Sequence, residues 1–249
     1  IPYQKDVLLN LVTCALVIAG GIGFPVIFEL PQKHFSWERL SMHTRVVLST
    51  TFALLLFGTL LLKLTENISW LGAFFYSVSA RTAGFSTYNL GDFSTAGLLV
   101  VSGLMFIGAS PASTGGGIKT TTFFVLLSGI YSAATNHSER AFHSAIPKDA
   151  FRKASVISML AVFLVMTASY LMLIFDPQLS LRDVLFEMIS AFSTSGLSTG
   201  ITPQLSAPSR ILSILMMYIG RLGPLTVASL WYFTIGERVR YPEGTIAIG

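Results

Sequence analysis

A six-residue stretch of this chain returns 112 residues later. Thr82-Ala83-Gly84-Phe85-Ser86-Thr87 reappears as Thr194-Ser195-Gly196-Leu197-Ser198-Thr199, and the same offset carries Met105-Phe106-Ile107-Gly108 onto Met217-Tyr218-Ile219-Gly220. Threonine, glycine and serine recur inside surroundings that are otherwise apolar. Such a pattern predicts backbone gathered around something polar within a membrane, and it asks for a duplicated architecture.

The setting is a membrane because 52% of residues are apolar and only 11% charged, against roughly 25% charged for soluble domains. Several apolar runs reach the ~18 residues needed to cross a ~30 Å hydrocarbon core. Cys14 is alone, so no disulfide is expected. The first residues lack the basic start of a signal peptide and do not begin with methionine, so residues 1–28 read as the tail of an earlier repeat. His34, His43, His137 and His143 fall in polar loops without ligand spacing and read as solvated. The basic residues are dispersed, which argues against nucleic acid as a partner and for the lipid bilayer.

Periodicity predicts a helix over 7–28 closed by Pro25, and a second over 45–64. A short helix from Trp70 to Ala80 follows, with Asn67 or Ser69 as its cap. At ~1.5 Å per residue it climbs about 16 Å, half a crossing. It should therefore enter the membrane and turn back. A long segment over 95–135 is interrupted by Ala109-Ser110-Pro111-Ala112-Ser113-Thr114-Gly115-Gly116-Gly117. A crossing over 154–175, a short amphipathic helix over 182–192 introduced by Ser180-Leu181-Arg182-Asp183, and a last crossing over 210–235 complete the chain. Lys33, Arg39, Arg45, Arg140, Lys148, Arg152, Lys153, Arg238 and Arg240 lie in loops on one face; Lys5, Lys63, Arg81, Arg182 and Arg210 lie on the other. The excess puts the first face and the C-terminus in the cytoplasm, with both short helices entering from outside.

Unpaired backbone survives in hydrocarbon only where it lines a polar cavity. Residues 81–87 and 193–199 each follow a half-length helix, whose partially negative C-terminal end favours a cation. Freed carbonyls can there replace an ion's water shell, and glycine permits the positive φ the crowded backbone needs. The ion-binding candidates are thus Arg81, Thr82, Ala83, Gly84 and Phe85 with Ser193, Thr194, Ser195, Gly196 and Leu197. The carbonyls of Thr82, Ala83, Gly84, Thr194, Ser195 and Gly196 are the expected metal ligands. Small-residue patterns also pack membrane helices closely, but a packing motif has no need of a half-length helix before it.

Thr82-Ala83-Gly84-Phe85 and Thr194-Ser195-Gly196-Leu197 resemble degenerate potassium-channel filters. The repeated helix, re-entrant pore helix, helix unit (M1–P–M2) resembles the Trk/Ktr/HKT superfamily of potassium transporters, with the short tail most similar to the KtrB-type membrane subunits of Ktr systems. Thr114-Gly115-Gly116-Gly117-Ile118-Lys119-Thr120-Thr121 resembles the broken second helix of the third repeat, and Arg221 the arginine of the last helix. The resemblance implies an all-α membrane fold with M1–P–M2 repeats in pseudo-fourfold arrangement around an ion pore. Residues 1–28 would end a preceding repeat, 29–138 form the third and 139–249 the fourth with the tail. It further implies potassium as the transported ion, with glycine at the filter position leaning that way, sodium dependence, a homodimer, and a cytoplasmic nucleotide-binding regulatory ring of RCK type, KtrA-like. Any nucleotide would belong to that ring and not to this chain. Localisation would be the cell membrane, multi-pass.

Arg221 lies about 11 and 15 residues from the ends of its expected helix, too deep to snorkel to an interface. The expectation is that Ala109, Ser110, Ala112, Ser113, Thr114, Gly115, Gly116 and Gly117 form a loop across the path whose carbonyls and hydroxyls bond Arg221, making a gate. Lys119 either assists that barrier or reaches the cytoplasmic cavity. Gly115–Thr120 echoes a phosphate-binding loop only faintly, because Ile118 separates glycine from lysine. No paired nucleophile and base is visible, so an enzyme is not expected. Asp92, Asp176, Asp183 and Glu187 gather near the expected outer mouths, either concentrating cations or serving as solvated helix flanks. The remaining rival is a secondary transporter of another monovalent cation, which also uses broken helices at mid-membrane.

Overall fold

The computed structural model describes residues 3–135, 140–142, 144–147, 149–224 and 226. His137, His143, Lys148, Arg238, Arg240 and most of the expected 223–235 portion of the last crossing lie outside them.

Among the described residues the apolar segments are mostly helical. Helices α1 (Val7–Ile22), α2 (Phe24–Gln32), α3 (Met42–Thr65), α4 (Trp70–Ser79), α5 (Thr95–Phe106), α6 (Thr120–Thr135), α7 (Ala150–Phe175), α8 (Leu181–Ser193) and α9 (Ala207–Leu222) follow in order. A two-residue ribbon pairs Arg140–Ala141 with Ser144–Ala145. Among the described residues α3 and α7, at 24 and 26 residues, are each long and apolar enough to cross a membrane. Their outward faces carry large exposed apolar side chains, Phe52 and Leu64 on α3 and Met159, Phe163 and Tyr170 on α7. That is the surface a lipid-facing helix presents.

Caps set the boundaries. Ser41, Ser69, Ser94 and Ser180 each accept from the backbone N–H three residues on, which satisfies an orphan donor at the start of α3, α4, α5 and α8. Ser69, and not Asn67, starts the short helix.

The expected single helix over 7–28 is two. The chain turns by 96° between α1 and α2 at Gly23, whose φ of 93° only glycine adopts freely. Pro25 opens the new helix instead of closing the old one, since a proline in the first turn gives up an N–H that would be unpaired anyway. The last helix, α9, ends at Leu222, short of the expected 235, and Gly223 takes a φ of 92°.

Two of the four buried apolar clusters among the described residues back the glycine segments. One gathers Leu62, Tyr76, Leu98, Val101 and Met105 behind residues 81–87. The other gathers Ala161, Met172, Val184, Met188 and Met216 behind residues 193–199. Each short helix is thus clamped between its longer neighbours, α4 against α3 and α8 against α7 and α9.

Candidate functional site: two threonine–glycine segments and a glycine loop

Helix α4 stops at Ser79 and the chain turns sharply through Thr82 (φ 77°) and Gly84 (φ 76°). Helix α8 stops at Ser193 and turns through Thr194 (φ 53°) and Gly196 (φ 90°). Neither segment continues as helix. They also lie against each other, since a β-carbon placed on Gly84 would collide with the Ser195 carbonyl and stand 3.3 Å from Gly196 Cα. The Ser195 hydroxyl donates to the Ala80 carbonyl at 3.4 Å, a second tie between the two.

The carbonyls of Thr82, Ala83, Gly84, Thr194, Ser195 and Gly196 accept no hydrogen bond from any described residue. Phe85 differs: its carbonyl accepts from the Ser79 hydroxyl at 2.5 Å while its ring stands exposed. Its counterpart Leu197 is buried in the core.

Arg81 departs from its expected place among outward-facing positive residues. It is 7% exposed, and its guanidinium reaches Thr51 of α3 at 3.5 Å. It lies just past the end of α4, in the turn that follows the Ala80 cap, and packs back against α3 instead of projecting from a loop. A cleft of about 240 Å³ beside it is lined by Leu16, Gly20, Gly21, Thr82, Ala83 and Thr114.

The glycine loop meets both segments. A side chain on Gly115 would strike Thr82, and one on Gly116 would meet Thr194 Oγ1 at 2.7 Å and the Ser193 carbonyl at 2.8 Å. The Gly116 N–H donates to Thr194 Oγ1 at 3.2 Å. Only glycines permit this approach. The loop's other flank rests on the α1–α2 bend: Ser110 N–H donates to the Gly21 carbonyl at 3.0 Å and Phe24 N–H to the Ala112 carbonyl at 3.2 Å. Ala109 and Ser110 are fully buried, and Ser110 Oγ accepts from the Thr120 hydroxyl at 3.0 Å. Ser113 Oγ accepts from the Gly115 N–H at 3.4 Å, and Gly117 turns the chain out of the loop at φ 71°. Lys119 Nζ donates to the Gly115 carbonyl at 2.5 Å.

Arg221 donates through Nη1 to the Thr114 carbonyl. It is not central in a long helix, however. It occupies the last turn of α9, beside the Gly223 break, where the helix's unpaired carbonyls favour a cation.

Residues 40–233 match the family described as TrkH, cation transport protein. The chain belongs to that family. Its members are ion transporters, not enzymes, and the resemblance to the Trk/Ktr/HKT superfamily read from the sequence is met. The chain is 36% identical to Ktr system potassium uptake protein B of Vibrio alginolyticus over 99% of its own length and 57% of that protein. It is 34% identical to Ktr system potassium uptake protein D of Bacillus subtilis over 100% of its length and 59% of that protein. It therefore spans somewhat over half of these curated relatives. The crystal structure of the potassium transporter TrkH from Vibrio parahaemolyticus shares its fold with a TM-score of 0.73 at 17% identity, covering 92% of this chain and 53% of that one.

Within this TrkH-family fold, two of the four expected outer-mouth carboxylates are buried instead. Asp176 is 4% exposed and accepts from the N–H and hydroxyl of Ser206 at the start of α9. Glu187 is 8% exposed and accepts from Thr202 Oγ1 at 2.5 Å. Neither carboxylate stands exposed at an outer mouth. Asp92, bonded by the Asn89 amide at 3.1 Å, and Asp183, at the α8 cap, stay near the surface. Tyr76, Thr51 and the glycines of the α1–α2 bend also touch the site. Sequence reading missed them, because their polar groups sit in apolar stretches that look like ordinary core.

Proposed function

We propose that this chain is part of a potassium uptake protein in which the two threonine–glycine segments belong to a selectivity filter. The observation that carries this reading is the juxtaposition of Gly84 with Ser195 and Gly196, brought together from the ends of two half-length helices. Unbonded carbonyls there can exchange for an ion's hydration shell. The Ktr relatives, which are potassium uptake proteins, support the choice of ion.

In this reading residues 1–28 end one repeat, 29–138 make the third M1–P–M2 unit and 139–249 the fourth, in pseudo-fourfold arrangement around one pore. The basic loops and the C-terminus face the cytoplasm of a cell-membrane protein. The 109–117 loop is the gate: it bridges the α1–α2 bend to Thr194 and offers its Thr114 carbonyl to Arg221. A guanidinium placed there opposes a passing cation while holding the loop. Uptake is sodium-dependent, the protein is a homodimer, and its cytoplasmic face docks on an RCK-type, KtrA-like ring that binds the nucleotide.

The test is flux of potassium, rubidium and sodium through the full-length protein in liposomes. Potassium and rubidium should pass in preference to sodium, and Gly84→Ser should erode that preference. Equal flux of all three ions, or indifference to Gly84→Ser, would refute the filter. Preference for sodium would favour a transporter of another monovalent cation.

A further inference from the structure

The limbs that leave the two threonine–glycine segments are braced by different chemistry. In the first, the fully buried Tyr76 of α4 donates its hydroxyl to the Tyr88 carbonyl at 2.6 Å and accepts from the Tyr88 N–H at 2.9 Å. The same hydroxyl meets Ser86 Oγ at 2.7 Å. One phenol therefore pins the outgoing limb to the pore-side helix.

Ser198 stands at the 112-residue offset from Ser86, yet no tyrosine reaches it. Its hydroxyl meets Thr202 Oγ1 at 2.9 Å and accepts from the Gly200 N–H at 3.0 Å. Thr202 in turn donates to Glu187 Oε1 of α8 at 2.5 Å. Glu187 Oε2 is buried without a partner among the described residues. Taking a carboxylate out of water is costly unless it is bonded, and packing does not require one here. Phe75, at the same offset in α4, fills the corresponding position with an apolar ring.

Leu197 and Ile201 anchor the limb in the two apolar clusters, but the polar stretch Ser198–Gly200 between them is packed loosely. A cavity of about 260 Å³ separates it from α9, with Glu187, Ser190, Gly196, Ser198 and Ser213 in its wall. Gly200, at φ 101°, has no neighbour within contact distance of a side chain. On the α9 side the limb is tied through Arg210, which donates to the Pro203 carbonyl at 3.1 Å and forms no ion pair with Glu187.

We propose that Glu187 is a positioning residue for the second threonine–glycine segment. Through Thr202 and Ser198 it fixes the limb 197–202, and so the aim of the Thr194–Gly196 carbonyls, as Tyr76 does for the first. This rests on the filter reading above. It adds that the two segments are held by unlike devices, a neutral phenol and a carboxylate, so that they respond differently to substitution.

The test is potassium-over-sodium discrimination of the full-length protein in liposomes. Glu187→Ala should lower discrimination about tenfold, and Thr202→Val should do the same, as expected for loss of one hydrogen bond to a charged group. Glu187→Gln, whose amide oxygen still accepts from Thr202, should stay within about twofold of the parent. A residue needed only for folding would not show that rescue. If Glu187→Ala does not fold, Thr202→Val reads the same brace. Discrimination untouched in Glu187→Ala and Thr202→Val, or lost as fully in Glu187→Gln as in Glu187→Ala, overturns the proposal. Gly196→Ser separates the two levels: if it alters discrimination while the Glu187 and Thr202 variants do not, the brace fails and the filter stands. If all are silent, the filter reading fails.

Discussion

Gly84 has no room for a side chain because the Ser195 carbonyl occupies the place its β-carbon would take. Residues 111 positions apart in sequence thus meet backbone to backbone, each just past the end of a short helix.

The two glycines should differ in tolerance. Gly84→Ala must displace Ser195 and should lower potassium uptake at least about tenfold. Gly196 would meet only Gly84 Cα at 3.8 Å, so Gly196→Ala bears chiefly the positive-φ strain of about 1–2 kcal/mol. Rubidium uptake by the paired variants measures the order, and greater damage from Gly196→Ala would contradict it.

Arg221→Ala removes the donor to the Thr114 carbonyl and the positive charge beside it. Flux through a correctly folded variant should rise severalfold, with Arg221→Lys intermediate because the charge remains while the forked donor is lost. A fall in flux, or none, would leave Arg221 as a helix clamp and no barrier.

A β-carbon on Gly220 of α9 would be driven into the Phe192 backbone of α8. Gly220→Ala should separate the two helices and destabilise the protein by about 1–3 kcal/mol, the usual range for overpacking. Thermal unfolding of the purified protein reads this directly, and an unchanged midpoint would show that α8 and α9 adjust freely.

Acid should loosen the loop that joins α7 to α8. The Ser209 hydroxyl first, with the Ser206 amide and hydroxyl, holds the Asp176 carboxyl below its ordinary value of 3.8. A depressed folded-state pKa stabilises the fold above 3.8 and withdraws that support as pH falls through the lowered value. Asp176→Asn should therefore flatten the loss of stability between about pH 5 and pH 2. Parallel pH profiles for parent and variant would count against the bond.

Much of this architecture was legible because its causes are local. Hydropathy gave the existence of α3, α5, α6 and α7, the Ser180 cap gave where α8 begins, and the 112-residue offset exposed both glycine turns. The 109–117 break showed itself as a proline and three glycines inside an apolar run. These signals act over a few residues and survive without knowledge of neighbours.

Tertiary packing alone decided the rest. Gly23 ends a helix that its sequence would continue, where the 109–117 loop crowds against it: it takes a φ of 93°, and a β-carbon there would stand 2.4 Å from the Pro111 carbonyl oxygen. Arg81 and Glu187 look like interfacial charges in sequence, yet each is buried with a hydroxyl from a distant element, Thr51 and Thr202. Burial and pairing depend on which surfaces meet in three dimensions, and a one-dimensional hydropathy pattern holds no record of that meeting.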